Sequence, residues 1–270
     1  MVFMNKKVFF ILACAVCTAF VFSQSISVPK DQSDSLLKKA EENTAFFDTD
    51  FSAFYTIVRE KPGEGKNLLE AKMYRRDSDS KWTVLMTGPA KEKGKGYLQV
   101  EGNIWFYDPA DRRFTFTNAR DKFQNTNANT SDFMPQRYHK DYSIEKSEYV
   151  TLGKFECVVF NLKARVDGTD YPELKLWVTK DDGLVRKKED YSLSGQLLRT
   201  TAIPSYQIIK SNGKNYFVPV NMIILDNLRG KKINEKMQYE RTLVSISNAT
   251  FSKVEDFVYT KPFLETAGSQ

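Results

Sequence analysis

The sequence predicts a mainly β protein in which a curved antiparallel sheet forms a half-open β-barrel, with an N-terminal helix and a short helical lid. After residue 50, runs of alternating apolar and polar residues follow one another, and turn signals such as Pro62-Gly63, Asp108-Pro109 and Asn212-Gly213 separate them. One long polar stretch, "NARDKFQNTNANTSDFMPQRYHKD" at 118–141, interrupts the series. Serial strands with short turns pair antiparallel, and a polar insertion of this length in a compact domain is typical of a lid or a binding loop.

The first 23 residues have the layout of a secretory signal. Lys6 and Lys7 precede the apolar run "VFFILACAVCTAFVF", and the small residue Ser23 follows it. The run has about 15 residues, fewer than the roughly 20 that span a bilayer. Acylation at Cys14 is disfavoured, because the chain after it stays apolar where a lipid-anchored chain turns polar. We therefore expect cleavage near Gln24, which removes residues 1–23 and exports the rest.

The charge and cysteine content indicate what kind of domain the exported chain forms. Removal of the signal lowers the formal charge from +6 to +4 and leaves Cys157 as the only cysteine. An exported chain with one cysteine has no internal disulfide, so it must be stabilised by buried apolar surface. About 245 residues suffice for one large β domain or for two smaller ones.

The stretch "DQSDSLLKKAEENTAFF", which begins at Asp31, predicts the N-terminal helix. Ser33 or Asp34 is the expected N-cap residue. Residues on one side recur at helical spacing: Leu36, Leu37, Ala40 and Thr44.

The stretch "GYLQVEGNIWFYDPADRRFTFT" at 96–117 predicts three consecutive strands whose aromatic residues divide between two faces. A two-residue loop at Gly102-Asn103, or one residue earlier, leaves the same residues on each face. The more apolar face carries Leu98, Val100, Trp105, Tyr107, Phe114 and Phe116. The other face carries Tyr97, Ile104 and Phe106 among polar residues, and we expect it to be a solvated surface with an apolar patch.

In the preceding strand, Trp82, Val84 and Met86 alternate with Thr83, Leu85 and Thr87 in the same way. We predict that Trp82, Met86 and the six side chains of the more apolar face line one hollow, because a half-open barrel with this many strands has more interior than its side chains readily fill. For any single residue of the eight, the alternative is that it belongs to an ordinary filled core. The alternation of apolar and polar residues alone does not distinguish a ligand cavity from a filled core.

Three stretches together resemble the LolA-like outer-membrane lipoprotein-sorting proteins: "LMTGPAKEKGKGYLQVEGNIWFYDPADRRFTF", "SDF" at 131–133 and "YPELKLWVTKDDGLVRKKEDYSLSGQLLRT". The resemblance covers roughly residues 50–265 and rests on turn and hairpin patterns. It implies a single LolA-like domain over residues 24–270, a curved incomplete β-barrel with a helical lid, and carriage of acylated lipoproteins across the periplasm in the apolar hollow. Trp105 and Tyr107 would line that hollow. This chain is longer than the best-known carriers, and its sequence places no arginine at the cavity mouth.

The same resemblance places the lid at Ser131-Asp132-Phe133, inside the polar segment 120–141. A short helix is expected after Ser131. The segment's composition provides few apolar contacts, so we expect Phe133, Met134 and Tyr138 to be the side chains that close it over the hollow.

The expected cargo is therefore the acyl chains of lipoproteins. The resemblance implies two further partners, an inner-membrane lipoprotein-release transporter and an outer-membrane acceptor, and the positive charge favours transient contact with anionic membranes. A second hypothesis uses the same fold differently: a binding module senses lipids or lipoproteins and docks a protein partner without shuttling.

Catalytic and nucleic-acid functions are disfavoured. His139 is the only histidine and lies in the polar segment, so a multi-histidine metal site is excluded and a secreted hydrolase is the weakest hypothesis. Cys157 lies in the strand "FECVVF" and is expected to be a buried structural thiol. Basic residues are interleaved with acidic ones along the chain, which argues against nucleic acid as a partner. We expect no enzyme activity, no metal and no cofactor.

Overall fold

The computed structural model describes residues 26–268, so the predicted signal at 1–23 lies outside the described residues. Three helices lie within this range: α1 (Lys30–Glu42), α2 (Tyr138–Asp141) and α3 (Lys261–Gly268). The strands are β1 (Phe51–Lys61), β2 (Gly65–Arg76), β3 (Lys81–Gly88), β4 (Gly96–Val100), β5 (Asn103–Asp108), β6 (Arg113–Thr117), β7 (Tyr142–Leu152), β8 (Phe155–Ala164), β9 (Glu173–Thr179), β10 (Val185–Tyr191), β11 (Leu197–Ser211), β12 (Lys214–Ile233) and β13 (Lys236–Phe251).

All thirteen strands form one antiparallel sheet in the order β6-β5-β4-β3-β2-β1-β13-β12-β11-β10-β9-β8-β7. Every neighbouring pair is a sequence neighbour except one, the pairing of the first strand with the last, in which Ile57 lies opposite Val244. The sheet is curved and does not close into a barrel. The predicted fold class is therefore confirmed.

The two free edges of the sheet, β6 and β7, are consecutive in the chain. Residues 118–141, which we call the crossing segment, connect them across the open side of the sheet. The segment is not structureless, because it forms 3₁₀ turns at Phe123–Asn125 and Thr130–Phe133 and ends in α2. The short helix expected after Ser131 is present as the second of these turns and α2.

Helix α1 covers the half of the concave face formed by β7–β10. Leu37 and Ala40 are fully buried there against Phe160 and Leu176. The predicted N-cap was wrong: the helix begins at Lys30, after Pro29. Ser33 instead lies in the first turn, where its hydroxyl bonds to Pro29 O and to the Ser147 hydroxyl of β7 at 2.6 Å. This residue therefore attaches the helix to the sheet and does not start it.

Helix α3 covers part of the opposite, convex face, and the sequence did not predict it. Its Leu264 is fully buried against Leu98 and Tyr107 of β4 and β5. Gly96 permits this contact, because a Cβ at that position would lie 2.5 Å from Leu264 Cδ2. None of the helices in the described part of the chain is long and apolar enough to cross a membrane.

We predict that Leu264→Ala destabilises the protein by about 2–5 kcal/mol, because truncation of a fully buried leucine leaves a cavity under α3. Thermal or urea unfolding measures the change. Thr266→Ala, in the same helix but exposed, is the control and should change stability by about 0.5 kcal/mol or less. Equal effects of the two substitutions would show that α3 is not packed on the sheet.

Candidate functional site

An apolar cavity of about 110 Å³ lies on the concave side, between α1, the crossing segment and strands β10–β13. The sheet contributes its inward side chains at the centre of the cavity wall. They are Thr201, Ile203, Tyr206, Phe217, Pro219, Met222, Ile224 and Ile246. The crossing segment supplies Phe133, Met134 and Tyr138, so all three side chains predicted for the lid reach this cavity.

One end of the cavity is polar. Lys188 and Thr201 lie directly opposite each other on β10 and β11, and both line the cavity together with Asp132. Thr201 is only 6% exposed, and its hydroxyl has no hydrogen-bond partner among residues 26–268. A buried hydroxyl without a partner is costly, so this end is suited to a ligand oxygen that accepts a hydrogen bond.

A larger cleft of about 520 Å³ adjoins the cavity and lies between the end of α1, the crossing segment and β3. Arg75, Met134 and Gln136 line both spaces and therefore form the partition between them. The guanidinium of Arg75 is held on Asp77 by two hydrogen bonds of 3.0 and 2.6 Å and donates a third to Thr44 O. The sequence placed no arginine at the cavity mouth, whereas the structure places Arg75 there.

A buried network of four charges fixes the crossing segment to the sheet. Asp190 and Arg199 are cross-strand partners on β10 and β11, joined at 2.7 Å. Arg199 also binds Asp132 of the crossing segment with two hydrogen bonds, of 2.6 and 2.9 Å. Lys188 completes the network, with its Nζ 3.3 Å from Asp190 and 3.8 Å from Asp132. Two positive and two negative groups thus lie together away from water, and their charges cancel.

These charges keep the Asp132 carboxylate ionised. Burial by itself would raise the pKa of Asp132, but the nearby positive charges of Arg199 and Lys188 outweigh burial, so this pKa lies below its usual range. The same attraction, opposed by burial, holds the pKa of Arg199 well above its usual value. Both side chains are therefore fully charged throughout the neutral pH range, and their ion pair holds the crossing segment on the sheet.

Aromatic packing reinforces this attachment. Phe133 is buried, with its ring edge-on to Tyr55 at 5.7 Å and to Phe123 at 5.0 Å between centroids. Phe123 in turn stacks on Tyr97 of β4 at 5.0 Å. Burial raises the pKa of Tyr55 to about 12, so its phenol stays neutral beside the cavity.

The crossing segment is also tied to α1. The carboxylate of Glu41 accepts hydrogen bonds from the backbone N–H groups of His139 and Lys140 at the start of α2, at 2.9 and 3.1 Å. Gln136 N donates to the Thr44 hydroxyl at 2.9 Å. Any opening of the cavity between these elements must break or carry along these contacts.

The eight predicted cavity residues divide between the two faces of the sheet. Trp82 and Met86 are buried on the concave side, in the cluster that includes Tyr55 and Phe133, and Trp82 also lines the cleft. The other six were wrongly placed, because they lie on the convex face: Leu98, Val100, Trp105, Tyr107, Phe114 and Phe116.

The division of the β4–β6 side chains between two faces was predicted correctly, and the error concerns which face is inside. The turn is at Glu101-Gly102, and Leu98 pairs with Trp105 as the one-residue shift allows. However, Tyr97 pairs with the inward Val84, so Tyr97, Ile104 and Phe106 face the concave side that the sequence assigned to solvent.

Helix α3 explains why the convex face is so apolar. Leu98 and Tyr107 pack beneath it, and Phe114 and Val100 border the same cluster. Lys261 at the start of α3 lies 3.9 Å above the Trp105 ring. Phe116 at the free edge is 65% exposed. An apolar strand face predicted from sequence thus indicates a buried face. It does not distinguish burial under a helix on the convex side from burial in the concave interior.

Of the two residues considered for catalysis, His139 lines the cleft, whereas Cys157 lines neither the cleft nor the cavity. Cys157 is fully buried in β8, and burial raises the pKa of its thiol to about 11, which makes it unreactive at neutral pH. Within residues 26–268, no group of three or more His, Cys, Asp or Glu side chains is arranged to hold a metal ion.

A protein-family model described as "Uncharacterized protein" matches residues 78–266, more than half of the chain, and the chain belongs to that family. No curated protein matches the sequence.

Three solved crystal structures share the fold. A LolA superfamily protein from Nitrosomonas europaea is 19% identical, with a TM-score of 0.67, over 88% of this chain and 100% of its own. An outer membrane lipoprotein-sorting protein domain from Vibrio parahaemolyticus is 16% identical, with a TM-score of 0.70, over 86% and 97%. A DUF1329 family protein from Desulfovibrio piger is 15% identical, with a TM-score of 0.71, over 87% and 99%. The predicted resemblance is confirmed: this is a LolA-like fold.

We predict that Asp132→Asn loosens the crossing segment. The substitution leaves Arg199 and Lys188 buried with one carboxylate between them, and breaking such a network typically costs about 3–5 kcal/mol. Tryptic cleavage at Lys122 and Arg137 should accelerate, and thermal unfolding should begin at a lower temperature. Asp181→Asn is the control, because its exposed side chain lies in the turn between β9 and β10, outside the crossing segment, and such a surface substitution should change stability by about 0.5 kcal/mol or less. Unchanged cleavage in Asp132→Asn would show that the network does not hold the segment.

The same carboxylate predicts a pH dependence. Because the pKa of Asp132 is lower in the folded protein than in the unfolded chain, its contribution is fully present above about pH 4, the ordinary carboxyl range, and is lost as the pH falls through the folded value. The difference in urea stability between wild type and Asp132→Asn should therefore be constant from pH 7 to about pH 5 and should shrink below pH 4. A difference that persists unchanged at pH 3 would contradict this assignment.

Proposed function

We propose that this protein is a periplasmic carrier that binds the acyl chains of lipoproteins in the cavity behind the crossing segment and sorts them to the outer membrane. The observation that carries the proposal is the apolar cavity on the concave face of a LolA-like sheet, closed by a separate segment that is attached by polar contacts. The related lipoprotein-sorting domain has the same fold, which supports the proposal without establishing the ligand.

Physical chemistry explains the need for such a carrier. Burial of acyl chain is worth roughly 0.8 kcal/mol per CH₂, so a single long chain left in water costs on the order of 10 kcal/mol. Free diffusion between two membranes is negligible at that cost. Inward Met222 and Met134 suit a carrier, because methionine side chains adapt to ligands of different shape.

The closed cavity is too small for such a cargo. At about 110 Å³ it is smaller than the 150 Å³ void that accommodates one benzene. Acyl chains can therefore enter only if the crossing segment moves and the cavity merges with the adjoining cleft. Met134 and Gln136, in the partition between the two spaces, are the side chains that must move first.

The polar end of the cavity gives the bound chain an orientation. An ester or amide carbonyl at the head of an acyl chain can accept a hydrogen bond from the Thr201 hydroxyl, with the hydrocarbon directed toward Met222 and Ile246. The neighbouring four charges already cancel, so a neutral oxygen is favoured over a carboxylate.

Carriage also implies partners. We propose that an inner-membrane lipoprotein-release transporter delivers the cargo and that an outer-membrane acceptor receives it. The exported state, in turn, rests on the predicted signal at residues 1–23.

The second candidate is a binding module that senses lipoproteins and docks a protein partner without shuttling. The buried network around Asp132 and Arg199 favours it, because a segment fixed by four buried charges opens less readily than a shuttle requires. Purification of the protein from its native envelope distinguishes the two. A carrier should bring acyl chains or a whole acylated lipoprotein and should pass them between two membranes, whereas a sensor should retain a lipid without transferring it. Protein free of lipid in every preparation would contradict both.

We predict that Met222→Trp abolishes or strongly weakens binding of an acylated probe while the protein remains folded, because the larger side chain fills the cavity. The affinity should fall at least tenfold in a fluorescence titration with a lipopeptide. Ile223→Trp, one residue away on the convex face, is the matched control and should bind normally. If both variants bind as wild type does, the cavity is not the acyl site.

A further inference from the structure

The hairpin formed by β12 and β13 extends beyond the strands that pair with it, and only the turn between β1 and β2 comes near it, where a Cβ at Gly63 would lie 3.4 Å from Lys231 Nζ. On one side, the pairing of β1 with β13 stops at Glu60 and Arg241. On the other side, the pairing of β11 with β12 stops at Asp226. After a bulge, the two strands continue as a ladder from Gly230 opposite Tyr239 to Ile233 opposite Lys236. Asn234 and Glu235 form the turn with positive φ angles, as a two-residue hairpin loop requires. We call residues 228–239 the ribbon.

The ribbon exposes large apolar side chains. Leu228 is 55% exposed, Met237 56% and Tyr239 39%. Met237 and Tyr239 lie over Gly230 on the opposite strand, where a Cβ would be 2.8 Å from Met237 Sδ and 3.1 Å from the Tyr239 ring. Because Gly230 has no side chain, Met237 and Tyr239 both pack directly on its backbone and form one apolar surface.

The ribbon is also strongly basic, because it contains four basic residues and one acidic residue, Glu235. Arg229 is engaged with Asp226 and Glu240, at 3.6 and 4.0 Å. The other three basic residues make no ion pair with any residue from 26 to 268: Lys231, Lys232 and Lys236.

Lysines on a projecting hairpin have a simpler use, which is to prevent pairing with another sheet edge. That use explains the charges but not the exposed Leu228, Met237 and Tyr239. Apolar and aromatic side chains beside unpaired lysines are the combination that binds the interface of an anionic bilayer, where the charges attract lipid headgroups and the apolar groups enter the headgroup region.

We propose that the ribbon binds anionic membrane surfaces. It lies at the end of the sheet opposite the cleft, since Arg75 and Lys81, which border the cleft, are at the other ends of β2 and β3. Lys122 of the crossing segment contacts Asp226 at the base of the ribbon, but the part of the segment that borders the cleft, residues 134–140, lies at the other end of the sheet and stays accessible when the ribbon docks. Membrane docking and acyl binding use different residues, so either can fail without the other.

Co-sedimentation with extruded vesicles tests the proposal on the exported chain. Wild type should bind vesicles of phosphatidylcholine mixed with phosphatidylglycerol, should not bind phosphatidylcholine alone, and should bind less as salt is added. The triple variant Lys231→Gln, Lys232→Gln and Lys236→Gln should lose roughly 100-fold in partition coefficient, about fivefold per lysine.

A matched triple variant has the same change in net charge at the far end of the sheet: Lys154→Gln, Lys210→Gln and Lys253→Gln. It should lose no more than a few-fold. Met237→Ser with Tyr239→Ser should weaken vesicle binding while its salt dependence stays that of wild type. All variants alter exposed positions and should unfold at the wild-type temperature and bind the acylated probe normally.

Two results would overturn the proposal. Absence of binding to phosphatidylglycerol vesicles would leave the ribbon as a surface for an acidic protein. Equal loss in the two lysine triples would show that net charge, and not the ribbon, attracts the membrane.

Discussion

The pairing of β1 with β13 determines how the rest of the structure is arranged. Because the first and last strands meet in the middle of the sheet, its two free edges belong to consecutive strands, β6 and β7. The connection between them must therefore pass across the open side. A segment that would be an ordinary surface loop in another topology here covers the concave face, where it excludes water from an apolar cavity.

That position buries a charged side chain away from water, and a network of equal positive and negative charges neutralises it. Asp132 lies where the crossing segment meets β10 and β11, and a lone carboxylate there would be costly. Arg199, Lys188 and Asp190 neutralise it. Such networks are weak evidence for stability, since well-packed apolar residues would serve as well, but the loss of one partner is expensive. The segment is thus held firmly in one arrangement and has few intermediate ones, as a two-state closure requires.

Local sequence patterns predicted much of the fold and less of the site. Alternation located the strands and showed that Leu98 and Trp105 share a face, because both depend on neighbours in the chain. The prediction of which face of β4–β6 is the inner one was wrong, because that face is decided by α3, more than 150 residues further along the chain. The charge network was not predicted, for the same reason: Arg199 and Asp132 are 67 residues apart. The alternation in β11 shows that Arg199 and Thr201 share a face, but only the structure shows that this face is buried and that the charge of Arg199 therefore requires a partner.

We propose that the crossing segment moves away from the sheet when an acyl chain enters the cavity. Spin labels at Arg137→Cys on the segment and Lys81→Cys on β3 lie on opposite sides of the cleft, and the buried Cys157 thiol should not react with the label. Pulsed dipolar spectroscopy measures the distance between the labels with and without a bound lipopeptide. We expect one short, narrow distance distribution in the free protein and a longer one when lipopeptide is bound. An unchanged distribution in protein shown to be fully loaded would contradict the account.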